Sequence, residues 1–92
     1  MAKVIFTVRI MPESPDVDVK KIETEALKVI TKFAGDSEKR VKVSPFAFGL
    51  NSIDITFILD ESLGTPDDLE AQILKIAGVN SYQVTDCRRA IG

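Results

Sequence analysis

The chain has 92 residues, with one cysteine, no histidine, no tryptophan and a formal net charge of 12 − 14 = −2. That length makes a single domain spanning 1–92, and 45% hydrophobic with 28% charged residues is a globular composition rather than a disordered one. One cysteine excludes an internal disulfide and a metal site built on cysteines, and the absence of histidine removes the usual general base, the usual zinc ligand and every histidine-dependent triad. An isoelectric point near 5.0 argues against a whole-surface attraction for nucleic acid and leaves only a local basic patch as a route to it. The opening "MAKVIFTVRIM" is too short and too charged for a signal peptide or membrane span, so a cytoplasmic protein without membrane contact is expected.

Residues 3 to 11 alternate as a strand does, with Val4, Phe6, Val8 and Ile10 on the face expected to meet the core. "PESPD" breaks this strand with two prolines. From Val17 to Ala34 the apolar residues change to helical spacing through Val19, Ile22, Ala26, Val29, Ile30 and Phe33, with Asp16 or Asp18 as N-cap and Gly35 as the C-terminal stop. "VKVSPFAF", 41 to 48, predicts a second strand in which Pro45 lacks a ladder donor, a mark of an edge strand or a bulge. "GLNS" makes the reversal, Gly49 and Asn51 both tolerating positive φ. "SIDITFILD" then places Ile53, Ile55, Phe57 and Leu59 inward. "GTPDDLEAQILKIAG" predicts a second helix with Thr65 as N-cap, Pro66 at its first position, acids at its positive end, a buried stripe of Leu69, Ile73 and Ile76, and Gly78 as its stop. "VNSYQVTDCRRAIG" is a last strand followed by a short tail. The order β-α-β-β-α-β predicts an α+β fold, the ferredoxin-like split βαβ sandwich: a four-stranded antiparallel sheet ordered 4-1-3-2 with two helices on one face.

No catalytic constellation can be assembled. Asp54 and Asp60 fall on the open-face register of one strand, and Asp67 with Asp68 opens a helix, so these acids read as solubility and capping residues. Cys87 has no histidine partner and reads as a small, partly buried strand residue rather than a nucleophile. Neither GxxxxGKS/T nor GxGxxG occurs, and the acidic, proline-broken "MPESPDVD" after the first strand is unlike the phosphate-cradling loop with which acylphosphatases use this fold. No enzyme activity, cofactor or metal is expected. An RNA-recognition module would carry aromatics on the outward face of its central strands. Here Phe6 and Phe57 fall on the helix-covered face, and the open face offers Ile5, Thr7, Arg9, Thr56 and Ile58, so direct nucleic-acid binding is disfavoured. Ile5, Ile58 and Met11 are expected to cluster on that open face, where a further subunit could dock. An ACT-like module binding a small ligand fits the same order of elements and stays open as an alternative.

At "PFAFGLNSIDITF" and "VTDCRRAIG" the chain resembles the archaeal type of translation elongation factor 1-beta, the guanine-nucleotide exchange factor for elongation factor 1-alpha. The similarity runs through the whole chain, from "MPESPDVD" through the "AFGL" turn and "GTPDDLE" to the end. It implies a ferredoxin-like exchange domain that binds the GTPase and speeds release of GDP without chemistry of its own; the oligomeric state stays open, a monomer being favoured. It further implies partner-binding roles for Phe46, Phe48, Gly49, Arg88 and Arg89. Phe48 matches a phenylalanine in a Gly-Phe-Gly turn that in eukaryotic relatives enters a pocket of the GTPase's second domain. Arg89, with Arg88 beside it, matches a lysine that reaches toward the Mg²⁺ and phosphate site. Two departures stand out: the eukaryotic turn continues with a pair of lysines where this chain has Asn51-Ser52, and an arginine fork replaces a lysine point charge. Phe46 and Phe48 share strand parity unless a bulge at Pro45 intervenes, so periodicity does not separate them. The resemblance, with Phe48's closeness to the turn, makes Phe48 the outward residue and Phe46 the inward one; the alternative that Phe48 folds inward to close the core beneath the hairpin stays open. The turn and the arginines are expected at opposite ends of the sheet, roughly 20–26 Å apart.

Overall fold

The computed structural model describes residues 3–35, 38–60 and 67–90. Strand β1 (Lys3–Pro12) leads into helix α1 (Val19–Ala34), then strand β2 (Lys39–Pro45), a 3₁₀ turn at Ala47–Gly49, strand β3 (Asn51–Asp60), helix α2 (Asp67–Leu74) and strand β4 (Val79–Ala90). The sheet is ordered β2-β3-β1-β4 with every neighbour antiparallel, the 4-1-3-2 order of a ferredoxin-like α+β fold.

The period-two stripes decide which face the helices cover. Val8, Ile10, Ile53, Ile55, Phe57 and Leu59 are buried, joined by Ile22, Ala26 and Ile30 of α1 and Leu69 and Ile73 of α2. Each valine, leucine, isoleucine or phenylalanine side chain so enclosed stabilises the fold by about 1.5–3 kcal/mol relative to exposure. Phe6 and Phe57 pair directly across β1 and β3, their rings stacked at 5.8 Å in the middle of this core.

Asp18, not Asp16, caps α1: its carboxylate accepts from the amides of Lys20 and Lys21, so the helix starts at Val19 rather than Val17. At the other end Gly35, at φ 81°, donates its N–H to Thr31. Helix α2 stops at Leu74, short of the predicted end, because Ile76 N–H turns back to Ile73 and Val79 N–H to Ile76. Gly78 closes this turn at φ 92°, and its carbonyl accepts from Glu13 N–H, tying the end of β1 to the start of β4. Thr65 and Pro66, predicted to open α2, lie outside the described residues.

Three expectations need correcting. Strand β2 ends at Pro45 instead of reaching Phe48, because Phe46 N–H turns across the reversal to Leu50 O at 2.7 Å. The positive φ values fall at Phe48 and Gly49, while Asn51 is already in β3. Cys87 is exposed, not partly buried. It pairs with Phe6 and so lies on the helix side. However, eight-residue α2 covers only about 12 Å of a strand about 40 Å long, leaving Val84 and Cys87 in solvent.

Candidate functional site

The β2–β3 reversal is the most unusual piece of backbone among the described residues. Phe48 sits at φ 62°, ψ 30°, the left-handed region that costs a residue with a side chain about 1–2 kcal/mol, and Gly49 follows at φ 75°. The side chain of Phe48 is 93% exposed. Phe48 therefore does not fold over the core but projects from the tip of the hairpin. Gly49 faces Pro15 from the β1–α1 connection, a Cβ at that glycine falling 3.8 Å from the proline ring.

Phe46, expected to turn inward, is 49% exposed. It follows the last β2 residue and its ring lies 5.6 Å from the Arg9 guanidinium, on the open face of the sheet. Arg9 Nε donates to Asp54 Oδ1 at 3.0 Å, a cross-strand pair at matched positions of β1 and β3. With Val43, also exposed, the hairpin presents three apolar side chains within six positions. Sequence pattern gave Arg9 no role and read Asp54 as a solubility residue, whereas the fold pairs the two. The legible signal was opposite charge at the same open-face parity, but the register that brings the two together is settled only by strand pairing.

The arginines are strand residues, not a tail. Arg88 pairs with Ile5 and Arg89 with Val4, so the two lie on opposite faces of the sheet. A bulge in β4 sets this: Asp86 pairs with Thr7 and Val84 with Val8, leaving Thr85 between them, its hydroxyl donating to Thr7 O. That extra residue reverses the parity of everything after it. Arg88 reaches the open face, where its Nε meets Asp86 Oδ2 at 2.9 Å. Arg89 lies on the helix side and is exposed.

The separation of the two groups follows from register. The hairpin lies beyond Asn51, whereas Val4, the partner of Arg89, also pairs with Leu59 of β3. From position 51 to position 59 of one strand is about 26 Å. The structure thus keeps Phe46, Phe48 and Gly49 together and places Arg88 and Arg89 at the other end of a molecule measuring 42 × 21 × 19 Å.

Between the ends the open face is polar in its middle. The Thr7 and Thr56 hydroxyls hydrogen-bond at 3.1 Å, next to the Arg9–Asp54 pair. Ile5 and Ile58 pair below them, but Met11 lies six residues from Ile5 along β1, about 20 Å away, so the three do not form the expected cluster. Among the described residues no group of three His, Cys, Asp or Glu is placed to hold a metal ion, and no helix is long and apolar enough to cross a membrane.

Residues 5–90 match the family model of the EF-1 guanine nucleotide exchange domain, a stretch that includes both ends of the candidate site. The chain is 38% identical over 92 residues to elongation factor 1-beta of Methanobrevibacter smithii, covering 97% of this chain and 98% of that protein. It is 36% identical over 90 residues to elongation factor 1-beta of Methanocella arvoryzae, with coverage of 98% and 99%. To elongation factor 1-beta of Methanothermobacter thermautotrophicus the identity is 33% over 89 residues, with coverage of 97% and 98%.

Proposed function

This chain belongs to the EF-1 guanine nucleotide exchange domain family, and from that premise we propose that it promotes release of GDP from elongation factor 1-alpha by gripping the GTPase at two separated points. The observation that carries the reading is Phe48: a large apolar side chain 93% exposed, held on a left-handed backbone that a glycine would adopt without steric strain. Strain kept at a solvent-exposed aromatic is explained by a partner pocket that the ring fills.

Exchange by such a factor requires no acid, base or metal of its own. The factor binds the nucleotide-free GTPase more tightly than the nucleotide-bound form, and by thermodynamic reciprocity it weakens GDP by the same factor. Phe48 supplies affinity. Arg88 and Arg89, about 26 Å away along the sheet, supply positive charge where the partner holds Mg²⁺ and phosphate, and a cation there competes with the metal. The Arg88–Asp86 contact is largely exposed and worth no more than about 1 kcal/mol, so Arg88 can exchange it for a partner anion.

The test is release of a fluorescent GDP analogue from elongation factor 1-alpha. Acceleration that saturates with this protein is expected; no acceleration at micromolar concentration refutes the proposal.

A further inference from the structure

Phe48 has almost no packing of its own, so the direction of its ring is set by the backbone on either side. That backbone is anchored at two places. Phe46 N–H donates to Leu50 O at 2.7 Å, closing the loop at its base, and the Phe46 ring lies 5.6 Å from the Arg9 guanidinium. Arg9 is itself fixed: its Nε meets Asp54 Oδ1 at 3.0 Å, and the Asp54 side chain is only 17% exposed. A guanidinium held along one edge by a carboxylate still offers its flat face to an aromatic ring, an arrangement a flexible ammonium reproduces less well.

Resting on the exchange reading above, we propose that Arg9 and Asp54 are positioning residues for the Phe48 loop, acting through the ring of Phe46. The chain of contact runs from the carboxylate of Asp54 to the guanidinium of Arg9, from there to Phe46, and through the Phe46–Leu50 hydrogen bond to the two left-handed residues that aim Phe48. Asp54 is thus part of the grip although it does not reach the tip. The half-exposed Phe46 ring is held against the sheet before the partner arrives, so less freedom is lost on binding.

Two measurements test this. In the isolated protein, Arg9→Met and Asp54→Asn should speed hydrogen exchange of the Phe46 amide about two- to fivefold, with the amides of Ile55 and Phe57 unchanged and Arg9→Lys intermediate. In the GDP-release assay, Arg9→Met should raise the half-saturating concentration of the factor about two- to fivefold while the maximal release rate, set at the other end of the sheet, stays put. Combined with Phe46→Leu, Arg9→Met should add nothing further. Phe46→Leu alters an exposed ring and leaves Arg9–Asp54 in place, so faster exchange of the position-46 amide in that variant reads the loop anchor even where Arg9→Met fails to fold. The proposal is overturned by an unchanged Phe46 amide, by equal acceleration at the core amides, or by effects of Arg9→Met and Phe46→Leu that add independently. If the wild-type protein fails to accelerate GDP release, the exchange reading falls, and the amide measurement still decides whether Arg9 and Asp54 hold the loop.

Discussion

Replacing Phe48 by glycine perturbs stability and partner binding in opposite directions, and both magnitudes follow from the structure. The ring is 93% exposed, so removing it forfeits almost no burial. Its backbone, at φ 62°, ψ 30°, costs a non-glycine residue about 1–2 kcal/mol, and glycine's greater freedom in the unfolded chain returns about 0.4–1 kcal/mol of that, leaving a mid-range gain of about 0.8 kcal/mol. In a domain of this size that raises Tm by about 2–8 °C. Phe48→Ala is the control: the strain stays, no burial is lost, and stability should stay within about 0.5 kcal/mol of wild type. On the proposed reading both variants lose the ring that would fill the partner pocket. Burial of a phenylalanine is worth about 1.5–3 kcal/mol, so the half-saturating concentration for GDP release should rise about ten- to a hundredfold. Thermal unfolding followed by circular dichroism, with the fluorescent GDP assay, reads both effects. A glycine variant less stable than wild type would refute the account of the loop backbone. Wild-type half-saturation in both variants would refute the role of the ring.

Arg88→Ala combined with Arg89→Ala should slow the maximal rate of GDP release while moving half-saturation less than Phe48→Ala does; a double variant with the wild-type maximal rate would remove the arginines from the mechanism. Gly78→Ala should destabilise the protein by roughly 2–4 kcal/mol, since φ is 92° and the new Cβ would meet Val17 Cγ1 at 2.7 Å; urea unfolding measures it, and a change below about 0.5 kcal/mol would contradict that packing. The Tyr82 hydroxyl is buried without a hydrogen-bond partner among the described residues, and burial, with a smaller contribution from the charge of Glu70, pushes its pKa from 10.0 up to about 12. Because the folded state keeps this proton to higher pH than the unfolded chain, stability is unaffected by the group's titration below pH 10 and falls as pH rises from 10 to about 12. Tyr82→Phe should therefore match or exceed wild-type stability at pH 7, as no orphaned hydroxyl remains, and its advantage should widen above pH 10; an advantage that does not change with pH counts against the shift.

Several features could be read from local pattern because local pattern is their cause. Val4, Phe6, Val8 and Ile10 alternate because a strand exposes alternate side chains to opposite faces, and Ile22, Ala26 and Ile30 recur at helical spacing because one stripe of α1 must be dry. Once these stripes are assigned, the order of elements and the 4-1-3-2 sheet follow with few alternatives. The separation of Phe48 from the arginines also follows, since antiparallel topology alone puts them at opposite ends.

What the tertiary structure decided depends on contacts between distant parts of the chain. The bulge at Thr85 puts Arg88 and Arg89 on the faces they occupy, and nothing in "VTDCRRA" marks the residue that β1 leaves unpaired. The shortness of α2 exposes Cys87, which local pattern assigned to a partly buried position. Phe46 lies against Arg9 rather than in the core because Asp54, 45 positions from Arg9, holds the guanidinium where the ring can meet it. Periodicity reports which side of an element is apolar, since burial scales with area and repeats with the backbone. Register, bulges and the aim of a loop arise from pairing across the sheet, and Phe48 projects from this protein because of that pairing.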